Sequence, residues 1–350
     1  MKKSIISPKI TLTLLLFVSF LPLQAQEEKS LEISGYADAY WKYDFANREN
    51  IQTFFANDQN SISIGMIGLG LTKTTGKATF VGELSFGPRG QYQTLPTGDN
   101  NDASNSFHIQ NLYMSYDFTE AFNMTAGYMG TFVGYEVISP SANFHYSTSY
   151  LFGAGPFQNA GIKATYTFSE KVSLMAGLFN DWNTYQDLNG VSHFGAQLSL
   201  APVEGLSAYV NFLTGNSAGG KDEYSSGTIV DLVASYDVSE MLSLGLNAAD
   251  YTFKADAGGG YSGVALYPSY NISENIGIGV RGEYFKIKDV AGITGESVTS
   301  FTLSANLKHG GLTLIPEIRL DNNDQPVFLN KGNTPVKSAS QVSIALVYSF

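Results

Sequence analysis

The chain has 350 residues with 36 Gly, 21 Tyr and 23 Phe, and only 15% of its residues are charged. Such a composition fits neither a disordered chain nor an ordinary soluble enzyme. The formal net charge of −11 disfavours nucleic acid and anionic lipid headgroups as partners, and the absence of cysteine excludes disulfides and thiolate metal sites.

Residues 1–25 have the pattern of a secretory signal peptide. Lys2, Lys3 and Lys9 precede an apolar run that is too short and wrongly flanked for a membrane-spanning helix. We therefore expect residues 1–25 to be removed and residues 26–350 to form the folded barrel. Removing those three lysines from the 20 basic residues leaves 17 against 31 acidic ones, a net charge of −14.

Clusters of turn-forming residues recur along the rest of the chain, with segments of alternating apolar and polar residues on both sides of each. They lie at 73–77, 117–121, 169–171, 202–205, 237–240, 271–275 and 308–311. Seven short turns, with both chain ends on the same side, imply about sixteen strands and longer loops at the other rim. We therefore predict an all-β fold, a transmembrane antiparallel β-barrel, in which Pro268 and Pro316 occupy bulges or rim positions.

Strand parity places aromatic side chains at both ends of the outward face. Near the short turns these are Tyr116, Phe118, Phe122, Tyr166, Phe168, Tyr236, Tyr270, Tyr348 and Phe350. Near the long loops they are Trp41, Tyr43, Phe86, Tyr128, Phe212 and Tyr284. Rings at both interfaces with lipid are typical of outer-membrane barrels. The opposite face is polar, for example at Thr302, Ser304 and Asn306, which predicts water inside the barrel.

Residues 131–157 form an unusually apolar long loop at the outer rim. The aromatic residues in it are Phe132, Tyr135, Phe144, Tyr146, Tyr150, Phe152 and Phe157, and its one charged residue is Glu136. Leaving such rings in water costs about 1.5 to 3 kcal/mol each relative to burial. We therefore expect the loop to fold inward against the barrel wall and narrow the pore. The alternative is that it caps a neighbouring subunit or packs on other outer loops.

The same region resembles a known family. The matching residues are Gly134-Tyr135-Glu136, Asn143 with Tyr146-Ser147, Pro156-Phe157, Gly161 with Ala164-Thr165-Tyr166, Asn180 with Trp182, and the opening 35–40. They resemble the OmpL-like β-barrel porins common in Bacteroidetes, most densely over 31–45 and 107–183. The sequence departs at Asp181 and Asn183, where the family more often has Gly and Asp around the Trp. The resemblance implies an outer-membrane barrel and a pore, without implying a solute.

Several charged side chains share inward parity near the middle of the barrel. Arg281 and Glu283 lie on one strand, Glu317 and Arg319 lie two strands away, and Lys163 and Glu83 lie elsewhere on the wall. Mixed charges of this kind either set a transverse field that tunes ion preference or form salt bridges that stiffen the wall. With Glu136 on the loop, they predict mild cation preference. The predicted constriction and lumen residues are Phe132, Tyr135, Glu136, Tyr146, Lys163, Arg281, Glu283, Glu317 and Arg319.

Residues 341–350 alternate strictly between apolar and small or polar side chains and end on Phe350. A strand that ends the chain with no polar tail needs a paired edge, which a closed barrel provides. The pattern resembles the closing strand of bacterial outer-membrane barrels.

Catalytic signals are weak in this sequence. The four histidines have no ligand spacing and no recognisable nucleophile motif, so we predict no catalytic residue, no cofactor and no metal. His108 has outward parity near the outer rim, where a membrane phospholipase would carry a histidine. The acidic runs at 99–102 and 321–324 fit solvated turns better than calcium sites.

These patterns predict a porin in the outer membrane of a Gram-negative bacterium, either monomeric or homotrimeric. Its partners would be outer-membrane lipid and the small polar solutes or ions that diffuse passively through it. A surface barrel for ligand binding or adhesion is the first alternative. An outer-membrane lipid hydrolase is the second.

Overall fold

A computed structural model of the protein describes residues 30–90, 107–187, 190–217, 226–254 and 258–350. The predicted signal peptide and the acidic run at 99–102 lie outside these residues. The strands are β1 Glu32–Asp44, β2 Ile62–Thr75, β3 Ala78–Phe86, β4 Phe107–Asp117, β5 Phe122–Gly130, β6 Gln158–Ser169, β7 Val172–Phe179, β8 His193–Leu200, β9 Leu206–Gly215, β10 Gly227–Asp237, β11 Leu242–Phe253, β12 Gly260–Leu266, β13 Ser269–Ser273, β14 Ile276–Ile287, β15 Ser297–His309, β16 Leu312–Asn323, β17 Phe328–Leu329, β18 Pro335–Val336 and β19 Ser338–Ser349. A short helix, α1, spans Tyr150–Ala154, and no helix among the described residues is long and apolar enough to cross a membrane.

The strands form one closed antiparallel barrel. Strands that follow one another in the chain pair, except that β12 and β13 each pair with β11 and β14, and β16 pairs with β19. The barrel closes where β1 pairs with β19, with Tyr36 opposite Ser349 and Asp44 opposite Gln341. Because β12 and β13 together lie between β11 and β14, the barrel has 16 strand positions. The short strands β17 and β18 form a separate hairpin in the loop before β19. The predicted fold class and strand number are confirmed.

The seven predicted turns are the short connections at one rim of the barrel. They join the hairpins β2–β3, β4–β5, β6–β7, β8–β9, β10–β11, β13–β14 and β15–β16. Gly76, Gly205 and Gly310 have φ values of 60°, 75° and 58° in these turns, a left-handed backbone that glycine adopts without steric cost. The long loops, including residues 131–157, all leave from the opposite rim.

The two faces of the wall differ as the alternation predicts. In β15, Phe301 and Leu303 are exposed on the outer face, whereas Thr302 and Ser304 are buried on the inner face. The tyrosines near the short turns are exposed in the same way. Tyr128 differs from the prediction because the ring of Tyr185 lies 4.8 Å from it and leaves it 6% exposed.

Both prolines lie at irregularities of the wall. Pro268 lies in the break between β12 and β13. At Pro316, the pairing of β15 with β16 passes directly from Ser304–Glu317 to Leu307–Leu314, since proline has no N–H to donate.

A bulge in β4 corrects the prediction for His108. The pairing of β3 with β4 shifts register after Glu83, so that His108 lies opposite Ser85 and Phe107 lies opposite Phe86. One extra residue reverses the parity of the strand end. His108 is therefore buried with Ser85 rather than outward-facing, and Phe107 takes the exposed position.

Replacing Leu303 by Arg tests the assignment of the two faces. A charged side chain at the middle of a lipid-facing strand costs about 2–4 kcal/mol. We expect the free energy of unfolding in lipid vesicles to fall by that amount, measured by urea titration. The matched change Thr165→Arg lies on the inner face of β6, where the side chain is partly exposed, and should cost less than about 1 kcal/mol. Equal losses for the two variants would contradict the assignment.

Candidate functional site

Residues 131–157 cross from the end of β5 to the far wall of the barrel and return to β6. The segment, here called the lumen segment, contacts inward-facing side chains on β8, β10 and β14 to β16. The backbone N–H of Gly134 donates to Oδ1 of Asp231 at 2.7 Å, and Nδ2 of Asn306 donates to the carbonyl of Phe144 at 3.0 Å. The segment therefore lies against the inner wall rather than above the rim.

Arg281 on β14 makes the densest set of bonds to the lumen segment. Its Nη1 lies 2.7 Å from Oε1 of Glu136 and donates to the carbonyl of Ser147 at 2.6 Å. Its Nη2 donates to Oγ of Ser147 at 3.2 Å and to Oγ1 of Thr302 on β15 at 3.1 Å. Both members of the Arg281–Glu136 pair are buried, so the ion pair is a fixed contact between wall and segment.

Two wall carboxylates accept hydrogen bonds from the backbone of the lumen segment. Glu317 on β16 accepts from the N–H groups of Tyr146 at 3.0 Å and Ser147 at 3.3 Å. Glu283 on β14 accepts from those of Tyr150 at 3.0 Å and Leu151 at 2.8 Å. A backbone N–H buried away from water needs such an acceptor, and an ionised carboxylate is among the strongest.

Arg319 performs the complementary task for carbonyl groups. Its Nη1 donates to the carbonyl of Thr148 at 2.8 Å, while Nε and Nη2 form two bonds to Asp321 at 2.9 and 3.0 Å. Asp321 also accepts from the hydroxyl of Tyr150 at 2.7 Å. We call Glu136, Arg281, Glu283, Glu317, Arg319 and Asp321 the buried clamp.

The lumen segment thus brings together the four charged residues predicted on β14 and β16. Arg281 and Arg319 are 0% exposed, Glu283 is 3% exposed and Glu317 is 5% exposed. At this level they bind the segment and not lumen water.

Of the remaining predicted site residues, three aromatic ones belong to the lumen segment and pack against the wall, and one lysine lies on the wall itself. Tyr135 stacks on Tyr267 at 4.3 Å between ring centroids, and Phe132 packs against Phe179 at 5.6 Å. Tyr146 is buried and its hydroxyl donates to Asp38 on β1. Lys163 is partly buried on the inner face of β6, apart from the clamp.

A second loop that sequence reasoning missed also enters the lumen. It lies between β1 and β2, where Thr53 accepts at its carbonyl from the hydroxyl of Thr148 and Phe54 lies 4.4 Å from Phe157. Phe54 has a φ of 75°, a backbone conformation that costs a bulky residue about 1–3 kcal/mol, and the ring packing holds it there. The adjacent pair Phe54-Phe55 in a loop was the available sequence signal.

A cavity of about 700 Å³ lies beneath the lumen segment. Residues 131–145 form part of its lining, and the rest comes from β8 to β10, from residues 267–269 at the break between β12 and β13, and from β15, β16 and β19. Lining residues Ser207, Lys308 and Ser349 adjoin the short turns, so the cavity opens toward that rim. His145 borders it, and burial, with Arg281 nearby, holds the pKa of this histidine well below its usual value, so its ring is neutral at pH 7.

One cluster at the long-loop end of β8 combines a serine, a histidine and an aspartate. Oγ of Ser192 lies 2.8 Å from Nδ1 of His193, and Oδ1 of Asp181 lies 3.3 Å from the same nitrogen. A catalytic triad needs the serine and the acid on opposite ring nitrogens. This arrangement therefore cannot relay a proton from serine to acid, and the described residues hold no cluster with metal-ligand composition.

Comparisons with solved structures give the same architecture. The chain is similar to an anion-selective porin from Comamonas acidovorans, with 15% identity, TM-score 0.62 and 92% and 99% of the two chains covered. It is similar to OprB of Pseudomonas putida, with 13% identity, TM-score 0.63 and 91% and 94% covered. It is also similar to the trimer form of OmpT, an outer membrane protein of Vibrio cholerae, with 12% identity, TM-score 0.60 and 92% and 99% covered.

No curated protein sequence matches the chain significantly. The family model described as "Putative beta-barrel porin-2, OmpL-like" matches residues 30–350, which confirms the resemblance found in the sequence. The closed barrel, the apolar side chains on its outer face and the match to the family model all indicate the outer membrane of a Gram-negative bacterium. The chain belongs to the OmpL-like beta-barrel porin-2 family.

Proposed function

We propose that this porin passes small polar solutes and ions along one side of its lumen, while the lumen segment fills the other side. The observation that carries the proposal is the buried clamp. It holds residues 131–157 against β14 to β16, so the segment reduces the free cross-section without leaving the barrel. Passive diffusion needs no catalytic group, because width and wall electrostatics determine what passes.

The open side is the wall formed by β2 to β6. In the half of this wall near the short turns, most inward-facing residues are partly exposed, in contrast to the buried inner faces of β14 to β16; toward the long loops, Met66, Ser85 and Gln158 are buried. The partly exposed residues include Thr72, Thr74, Glu83, Asn111, Tyr113, Ser115 and Lys163. Glu83 accepts from Tyr36 at 3.2 Å and Asn111 at 2.6 Å, which fixes its carboxylate on this wall. Solutes would meet Glu83 and Lys163 rather than the charges of the clamp.

Three further features belong to this proposal. Residues 1–25 act as a cleaved signal peptide, which N-terminal sequencing of the outer-membrane form tests.

The barrel assembles as a homotrimer. The trimer form of the similar Vibrio cholerae protein supports this, and native mass spectrometry in detergent tests it. The barrel has no lipid hydrolase activity, because His108 is buried with Ser85 and not placed at the lipid interface.

Deleting residues 141–155 should increase the conductance of single channels in planar bilayers at least twofold. The deletion removes the residues that bond to Arg281, Glu283, Glu317 and Arg319, and water replaces them. A deletion in the outer hairpin at 330–334, which lies at the rim, is the matched control and should leave conductance unchanged. An unchanged conductance after the first deletion would place the solute path away from the lumen segment.

Replacing Glu136 by Gln should release the lumen segment without unfolding the barrel. Removing one partner of a buried ion pair costs about 3–5 kcal/mol, because the buried Arg281 loses the carboxylate bonded to its Nη1. We expect proteolytic cleavage within residues 131–157 to accelerate at least tenfold in the folded barrel. Glu83→Gln, which removes a partly exposed carboxylate outside the clamp, is the control. Equal cleavage rates in the two variants would show that the clamp does not hold the segment.

Replacing Lys163 by Gln should increase the preference of the channel for cations over anions. Lys163 is partly exposed on the open side, and Glu83 carries the opposite charge on the same wall. Reversal potentials in a salt gradient measure the change. Lys286→Gln, on the outer face near the long loops, is the control and should leave the potential unchanged. A shift toward anions, or none, would contradict the path along β2 to β6.

A further inference from the structure

The cavity beneath the lumen segment is enclosed on several sides and open to one rim. Its volume of about 700 Å³ falls within the range of about 300–1,000 Å³ that small-molecule sites occupy. The lumen segment contributes Phe132, Tyr135 and Phe144, and β9 contributes Tyr209 opposite them. No residue of β2 to β6 lines the cavity.

The lining of this cavity offers little free charge although the chain is strongly acidic. Glu136 lines it, but its oxygens bind Arg281 and Ser149. His145 is neutral and its Nδ1 lies 2.8 Å from Oγ of Ser304. Lys308 is exposed and lies at the mouth, beside the short turn that follows β15. A charged ligand would therefore lose its hydration without gaining an opposite charge inside.

Neutral hydrogen-bonding groups occupy the rest of the wall. The amide of Gln197 donates through Nε2 to the carbonyl of Phe132 at 3.2 Å and to Oδ1 of Asn211 at 2.8 Å, which fixes the amide and leaves its oxygen to accept. The hydroxyls of Ser207, Tyr209 and Thr313 also line the cavity, and none of them bonds to another of the described residues. A ligand rich in hydroxyl groups could donate to and accept from such a wall.

Aromatic rings provide the second half of the recognition chemistry. Tyr135, Phe132, Phe144 and Tyr209 are partly exposed and line the cavity. The first two are held by packing, Tyr135 on Tyr267 and Phe132 on Phe179, so their orientation is fixed before a ligand arrives. A sugar ring has apolar C–H faces and a hydroxyl-bearing edge, which match an aromatic face beside amides and hydroxyls.

We propose that this cavity is a binding site for uncharged carbohydrate of one to three sugar units, entered from the rim of the short turns. The proposal deepens the proposed function, because it assigns a solute class to the same lumen. Bound sugar would lie under residues 131–145 and be held by stacking and neutral hydrogen bonds. A saturable site of this kind raises the local concentration of its solute inside the barrel.

Titration calorimetry of the full mature protein in detergent with maltotriose tests the proposal. We expect saturable binding by the unaltered protein, and at least tenfold weaker binding of trigalacturonate, which has the same size and three negative charges. Tyr209→Ala should weaken maltotriose binding about fivefold or more, and Tyr209→Phe, which keeps the ring, should weaken it less. Tyr166→Ala is the control and should leave maltotriose binding unchanged, because Tyr166 is an exposed tyrosine on the outer face of β6, away from the cavity.

Single-channel conductance, measured on the same protein as maltotriose binding, separates this proposal from the channel function. Conductance without maltotriose binding would overturn the carbohydrate site and leave the porin function intact. Maltotriose binding that Tyr209→Ala weakens, in a barrel that conducts nothing, would support the site and overturn the channel. Equal affinity for trigalacturonate, or no effect of Tyr209→Ala, would also overturn the site.

Discussion

The structure depends on how a 27-residue loop satisfies its backbone polar groups inside a closed barrel. Few of these groups can bond to one another, because the segment contains only one helical turn, α1, and a short 3₁₀ turn. Wall carboxylates accept from its N–H groups and wall arginines donate to its carbonyls. Each buried charge is costly alone, by several kcal/mol, so the segment and the clamp are stable only together. This mutual requirement makes the segment part of the wall rather than a loose lid.

Barrel closure determines where that clamp can lie. Sixteen strands leave no free edge, so a loop that avoids water has either the lumen or another subunit to pack against. Residues 131–157 occupy the side near β14 to β16, and the loop between β1 and β2 packs beside them through Phe54. Apolar and ionic contacts fill that side, whereas inward-facing residues of β2 to β6 near the short turns stay partly exposed. The asymmetry of the lumen follows from the position of two loops.

The strands and turns could be predicted from the sequence, because apolar–polar alternation and clusters of turn-forming residues involve only residues that are neighbours in the chain. Strand number, the seven turns and the inward parity of Arg281 and Glu317 all followed from it. The predictions that were wrong or missing concerned contacts between residues far apart in the sequence, or depended on one inserted residue. The bulge near Gln110 reversed His108, and nothing in that strand alone marks it. The partners of the wall charges, and the inward turn at Phe54, depend on contacts between residues far apart in sequence, which periodicity cannot specify.

The clamp also changes which charges can act on a solute. A charge fully paired and buried contributes a fixed local dipole, whereas a partly exposed side chain interacts with ions through water and responds to salt. By this criterion Arg281 and Arg319 are structural, although their position near mid-barrel is where a selectivity filter would be sought. Glu83 and Lys163 remain to set ion preference along the open wall, and the neutral cavity lies under the lumen segment. The lumen segment therefore decides which charges face the lumen, because its clamp removes six charged side chains from the water that solutes cross.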